Sequence, residues 1–197
     1  MPSIINSDDG QTSGSAGLKF TSGDDGVLKI QNNGTDALTI ADTGAMTFAQ
    51  QPVVPVPAFR GYLSADQSIS SSTETKVNID TVTGEGFFDT NGWFDTTNYR
   101  YTPQIPGYYF VMGNIRTGGT NQSVQYVSIF KNGAQYEVGE IQREINIVNV
   151  VVSSLVYMNG TTDYVELYGY ITATSPTFDY ASNSATCFFS GFLVRAA

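Results

Sequence analysis

Three segments of this chain are apolar at consecutive positions instead of alternate ones: 108–112 (YYFVM), 147–152 (IVNVVV) and 187–194 (CFFSGFLV). All fall far short of the roughly 20 apolar residues of a membrane span. No segment of the chain keeps a sustained helical period, so they read as strands. A strand at the surface of an antiparallel sandwich should alternate apolar and polar, because one face meets the core and the other meets water. These three do not alternate. If they lie side by side, one sheet is dry on its outer side as well as its inner side, and a contiguous apolar patch of that size marks a protein contact. The competing explanation is a monomer with buried central strands. Homo-oligomers are closed and symmetric as a rule, but the patterning does not choose between two subunits and three.

The rest of 58–197 reads as strand, turn, strand to the end. Asn132-Gly133 is a hairpin signal between 127–130 (VSIF) and 135–138 (QYEV). Asn159-Gly160 is expected to join 148–158 to 164–173 in the same way. This predicts an all-β antiparallel sandwich. Its length suits one core of ordinary domain size.

Upstream the pattern changes. Residues 1–16 are rich in Ser, Asp, Gly and Asn without apolar periodicity, the composition of a flexible attachment tip. Over 17–50 a short unit recurs: Leu18-x-Phe20, Leu28-x-Ile30, Leu38-x-Ile40, Met46-x-Phe48, separated by Gly23-Asp24-Asp25-Gly26, Asn32-Asn33-Gly34 and Asp42-Thr43-Gly44. Two apolar side chains per strand cannot offset an ordering cost of about 1–2 kcal/mol per residue, so the unit is expected to be a shaft whose core several chains share. Asp8-Asp9 and Asp24-Asp25 lack calcium-loop spacing and read as turn residues. Residues 51–57 hold three prolines (Pro52, Pro55, Pro57) and form an extended linker to the head at 58–197.

Charge and residue inventory narrow the function. Nine Lys plus Arg against 18 Asp plus Glu, with the basic residues scattered, leave no footprint for phosphate backbones, and nucleic acid is not an expected partner. The amino-terminal residues lack the basic end and apolar core of a signal peptide, and no membrane insertion is expected. Cys187, the one cysteine, reads as a buried inert thiol. With no histidine the usual nucleophile–base pairs are missing. Carboxylates would have to act alone, as Asp89 with Asp95 or Asp163 with Glu166. The latter two stand three apart, which on a strand sends them to opposite faces. No P-loop or zinc-ligand spacing is present, no cofactor is expected, and the chain reads as a non-enzymatic binding or structural protein.

The stretch from Ala58-Phe59 through Leu63, NYRYTPQIPGYYFVMG at 98–113, SIFKNG at 128–133, TDYVELYGYITA at 162–173 and CFFSGFLVRAA at 187–197 resembles the globular head domain of the complement recognition protein. That family shares its jelly roll with tumour necrosis factor. The resemblance implies a ten-stranded jelly roll and a homotrimer whose inner sheets meet at a three-fold axis. The collagen stalk of the animal members is missing, since there is no Gly-X-Y period. Instead LTIADTGAMTF at 38–48 is similar to β-repeats of bacteriophage tail-fibre and virion-surface proteins, and FFDTNGWFDTTNYRYTP at 87–103 resembles the phage branch of the head-domain family.

The expected trimer interface lies on the dry sheet, at Tyr108, Phe110, Val150, Phe189 and Phe192. The expected partner-binding loops carry Trp93 and, within 174–180, Phe178 and Tyr180, because turn-borne aromatics give large contact area at small entropic cost. Trp93 has a second reading, as a cover on the end of the sandwich. The resemblance implies a virion protein: a short tail fibre whose head contacts a host glycan or protein, or a capsid decoration protein or head fibre, mounted on other virion proteins through its amino-terminal region. A glycan-processing enzyme is the remaining alternative.

Overall fold

The computed structural model describes residues 27–32, 35–49, 56–143, 147–180 and 186–197. The chain divides into two compact units, Met1–Val54 and Pro55–Ala197. The tip at 1–16, the Leu18–Phe20 repeat, the turn at 23–26 and most of the Pro-rich linker lie outside the described residues.

In the first unit β1 (Leu28–Asn32), β2 (Thr35–Ile40) and β3 (Met46–Phe48) form an antiparallel sheet in that order. Its register pairs Leu28 with Ile40, Ile30 with Leu38, Leu38 with Phe48 and Ile40 with Met46. Directly opposed residues share a face, so the alternate apolar positions of all three strands gather on one side. Ile30, Met46 and Phe48 stay exposed there. The turn into β3 is closed by the Gly44 amide donating to the Ala41 carbonyl at 2.9 Å, with Gly44 at φ 81°.

The second unit contains β4 (Ala58–Tyr62), β5 (Gln67–Ser68), β6 (Thr75–Lys76), β7 (Phe88–Asp89), β8 (Phe94–Asp95), β9 (Arg100–Tyr101), β10 (Gly107–Lys131), β11 (Ala134–Gln142), β12 (Asn149–Met158), β13 (Val165–Phe178) and β14 (Phe188–Ala196). The 25-residue β10 serves both sheets. Its first half lies between β14 and β12, giving the order β7-β4-β14-β10-β12. Its second half lies between β13 and β11, and β5, β6 and β9 share the other edge of β13, with β8 beyond β9. Counting β10 in both layers, each sheet has five strand positions.

Between the layers sits one core that includes Phe59, Tyr101, Tyr109, Val111, Ile115, Ile129, Val150, Leu167, Phe178 and Phe189. Phe59 stacks on Tyr101 at 4.1 Å and meets Phe189 edge-on at 5.1 Å, which ties β4, β9 and β14 together. Gly113 of one sheet faces Leu167 of the other, and only a glycine fits there. A Cβ on Gly113 would stand 2.2 Å from Leu167 Cδ1.

Asn132 and Gly133, at φ 53° and 77°, make the tight turn expected between β10 and β11. Asn159-Gly160 behaves differently from the expectation. β12 pairs with the first half of β10 and β13 with the second, so this turn crosses from one sheet to the other and is not a hairpin. The Asn159 side-chain oxygen accepts the amides of Thr161, Thr162 and Asp163, at 2.9, 2.9 and 3.0 Å. That local satisfaction replaces the ladder bonds a hairpin would supply.

Cys187 is buried at the start of the last strand run, where its Sγ accepts the Arg116 amide at 3.2 Å. Burial, opposed by that bond, pushes the thiol up to about 11. At pH 8 it is protonated as well as shielded, so a thiol-directed reagent should label the native chain at less than about a hundredth of the rate seen in urea. Equal rates in both conditions would contradict this placement.

Candidate interaction surface

β14, the first half of β10, and β12 are the three doubly apolar segments, and they are neighbours. Residues of alternating phase divide between the faces. Tyr109, Val111, Val150, Val152, Val156 and Phe189 point into the core. Tyr108, Phe110 and Met112 of β10, Val151, Leu155 and Tyr157 of β12, and Phe188 and Phe192 of β14 point out. The register places Phe110 beside Leu155 on one side and Phe192 on the other, and Tyr108 beside Tyr157. Leu155 is 56% exposed, Tyr108 48% and Phe192 47%. Rings of opposed residues touch across the strands, Tyr108 with Tyr157 at 5.5 Å and Phe110 with Phe192 at 5.7 Å. Toward β4 the face dips into a hollow of about 330 Å³, lined among others by Ala58, Arg60, Phe88, Phe110, Met112 and Phe192.

Three of the five residues expected at an interface, Tyr108, Phe110 and Phe192, lie on this outward face. Val150 and Phe189 do not: both are 0% exposed and belong to the protomer's own core. The reason is the two-residue period of a strand, which turns each immediate neighbour to the other side. The outward members of those strands are Val151 and Leu155, and Phe188 and Phe192.

Phe178 is also corrected. β13 runs through 174–178 and does not yield to a loop there; Thr177 and Phe178 pair with Ser68 and Gln67, and Phe178 is fully buried beneath Gly169. Tyr180 is half-buried, and its amide donates to Asp66 Oδ1 at 2.7 Å. Trp93 is half-buried too, packed on the core 6.5 Å from Tyr101, the arrangement of a cover on the sandwich.

The candidate carboxylates each bond to partners of their own. Asp163 bonds Lys131 Nζ at 3.0 Å, whereas Glu166 bonds Lys76 Nζ at 2.5 Å. Asp89 accepts the amides of Phe94 and Asn91, at 2.7 and 3.2 Å, and Asp95 accepts those of Thr97 and Asn98, both at 2.9 Å. All four therefore have structural partners in turns or ion pairs. Among the described residues no three metal-ligating side chains cluster, and no helix is long and apolar enough to cross a membrane.

No protein-family model and no curated relative matches the sequence. Solved structures do. The chain is similar to murine APRIL at pH 8.0, with 10% identity over 71% of this chain and 99% of that one and a TM-score of 0.50. It is also similar to the globular domain of the zebrafish complement 1qA protein, at 14% identity over 72% of this chain and 99% of that one, with a TM-score of 0.48. Eiger TNF from S. frugiperda is similar at 11%, 73%, 96% and 0.48. The second unit is thus an all-β jelly-roll sandwich, the fold that it shares with murine APRIL.

Proposed function

We propose that this protein is a non-enzymatic homotrimer that serves as a virion structural protein of a bacteriophage, a short tail fibre whose jelly-roll head contacts the host surface. The observation that supports the trimer is the outward face of β14, β10 and β12. Each fully buried Leu or Phe side chain contributes about 1.5–3 kcal/mol, so leaving Tyr108, Leu155, Tyr157 and Phe192 in water forgoes a large stabilisation that a partner copy recovers. Homo-oligomers close symmetrically as a rule, and the number three is what the resemblance to the complement-type head domain implies. In the first unit, the exposed Ile30, Met46 and Phe48 support the same reading, of a shaft whose apolar side is shared. The virion setting rests on the similarity of 38–48 and 87–103 to phage structural proteins.

The mass of the full chain in solution, by light scattering with sedimentation, should be three times 21.3 kDa. A stable monomer would refute the trimer. Saturating free protein should then block adsorption of the phage that carries it, since the presented loops gain by avidity. Undiminished adsorption, with antibody labelling on the capsid in place of the tail, would move the assignment to a capsid decoration protein.

A further inference from the structure

Three Asn-Gly steps fall among the described residues, at 91–92, 132–133 and 159–160. In such a step the glycine has no side chain to shield its amide nitrogen, and that nitrogen can attack the asparagine side-chain carbon. The attack needs an asparagine side chain that can turn toward the next amide, a glycine N–H without an acceptor, and water. The fold withholds these conditions from two of the three.

Asn132 is held at both ends of its side chain: Nδ2 donates to Asp163 Oδ1 at 2.8 Å, and Oδ1 accepts the Tyr164 amide at 2.9 Å. Asn159 is held more firmly still. Its Oδ1 takes the three amides of Thr161, Thr162 and Asp163, and its Nδ2 donates to Thr162 Oγ1 at 2.9 Å. Gly160 is pressed against Pro106, whose nitrogen would lie 2.4 Å from an added Cβ.

Asn91 and Gly92 are exposed in the bend between β7 and β8, and nothing lies within 4 Å of a Cβ built on Gly92. Among the described residues neither the Gly92 amide nor Asn91 Nδ2 has an acceptor. One bond tethers the side chain, from the Thr90 hydroxyl to Asn91 Oδ1 at 2.7 Å. That hydroxyl has a second acceptor in the Ala58 carbonyl at 3.1 Å, so Asn91 can turn away while the hydroxyl stays satisfied.

We infer that Asn91 is a self-modification site of the native chain. The Gly92 nitrogen bonds to Asn91 Cγ, the Cγ–Nδ2 bond breaks, and the proton lost from the nitrogen leaves through water with Nδ2 as ammonia. The product is a succinimide. Water then opens the ring, at the side-chain carbonyl to give aspartate or at the backbone carbonyl to give isoaspartate. No oxidant or reductant takes part.

The consequence falls on Trp93. Asp89 spans this bend, accepting the amides of Asn91 and Phe94, and the Trp93 carbonyl accepts the Thr102 amide at 3.0 Å. A new carboxylate beside Asp89 is repelled by it. In the isoaspartate form the backbone also gains a methylene, and the two changes together displace the ring from the edge of the sandwich.

Full-length protein held in mildly alkaline buffer tests this. Peptide mapping by mass spectrometry follows conversion of amide to acid, and an isoaspartyl methyltransferase labels the β-linked product. In the native chain Asn91 should convert at least about tenfold faster than Asn132 or Asn159, since those two react only after local opening. In urea the three rates should converge. Emission from Trp93, the one tryptophan, should move to the red in step with conversion and stay constant in an Asn91→Gln chain. Equal rates at the three steps of the native chain, or an intact Asn91 beside converted Asn132 or Asn159, overturn the inference. Constant emission at full conversion overturns the displacement of Trp93 and leaves the modification site standing.

Discussion

Phe189→Asp should prevent the head from folding, while Leu155→Asp should leave each protomer folded and abolish its association. Phe189 has no exposed surface and packs against Phe59 in the core of the sandwich. Removing the ring alone costs about 3–5 kcal/mol. An unpaired carboxylate in the same space adds a desolvation penalty of similar size, and the sum rivals the whole stability of about 5–15 kcal/mol of an ordinary domain. Circular dichroism with urea titration should find no cooperative transition for Phe189→Asp. For Leu155→Asp, which places its charge on the outward face, the spectrum should be native and the sedimenting mass should fall to that of one chain. The reversed pattern, with Phe189→Asp folded and Leu155→Asp unfolded, would mean that the two faces of β14 and β12 have been exchanged.

The second large effect is expected at Lys76. Glu166 is 3% exposed, and its carboxylate meets Lys76 Nζ at 2.5 Å. The lysine also donates to the Asn98 carbonyl and lies over the Tyr168 ring. Lys76→Met keeps the stem and removes the charge, leaving a buried carboxylate uncompensated, which costs about 3–5 kcal/mol. Replacing both partners by apolar groups of similar size, as Lys76→Met with Glu166→Leu, should recover most of that loss. Urea midpoints of the two variants provide the check: a single variant as stable as the wild type would show that Glu166 is solvated or bound elsewhere. Asp163 and Glu166, three residues apart, are each neutralised by a different lysine.

Much of this molecule was legible before any coordinates. The adjacency of 108–112, 147–152 and 187–194 was a condition that the strand pairing met, whereas the Asn132-Gly133 turn and the antiparallel sandwich follow from turn chemistry and from a period of two. So does the one-sided apolar face of the small sheet, since Leu28, Ile30, Leu38, Ile40, Met46 and Phe48 all sit at alternate positions. Asn159-Gly160 was less transparent. The dipeptide specifies a tight reversal, and whether the strands it joins pair with each other or with opposite halves of β10 depends on where a third strand lies. Arg60, Arg116 and Arg195, opposite Ser190, Asn149 and Tyr108, were visible in the sequence as scattered bases. Only the register brought them to one face, because they come from three different strands.

What the sequence determined by itself is that certain strands are dry on both sides; what the tertiary structure alone decided is which side is which. An alternating strand states its own phase, because its polar residues must face water. A strand that is apolar throughout gives no such mark, and either set of alternate side chains can fill the core. Phe189 and Phe192, or Val150 and Val151, are equivalent on that criterion. The choice falls to long-range packing: Phe189 fits against Phe59, Gly113 makes room for Leu167, and the one-residue phase of β14 and β12 follows from those contacts between distant parts of the chain.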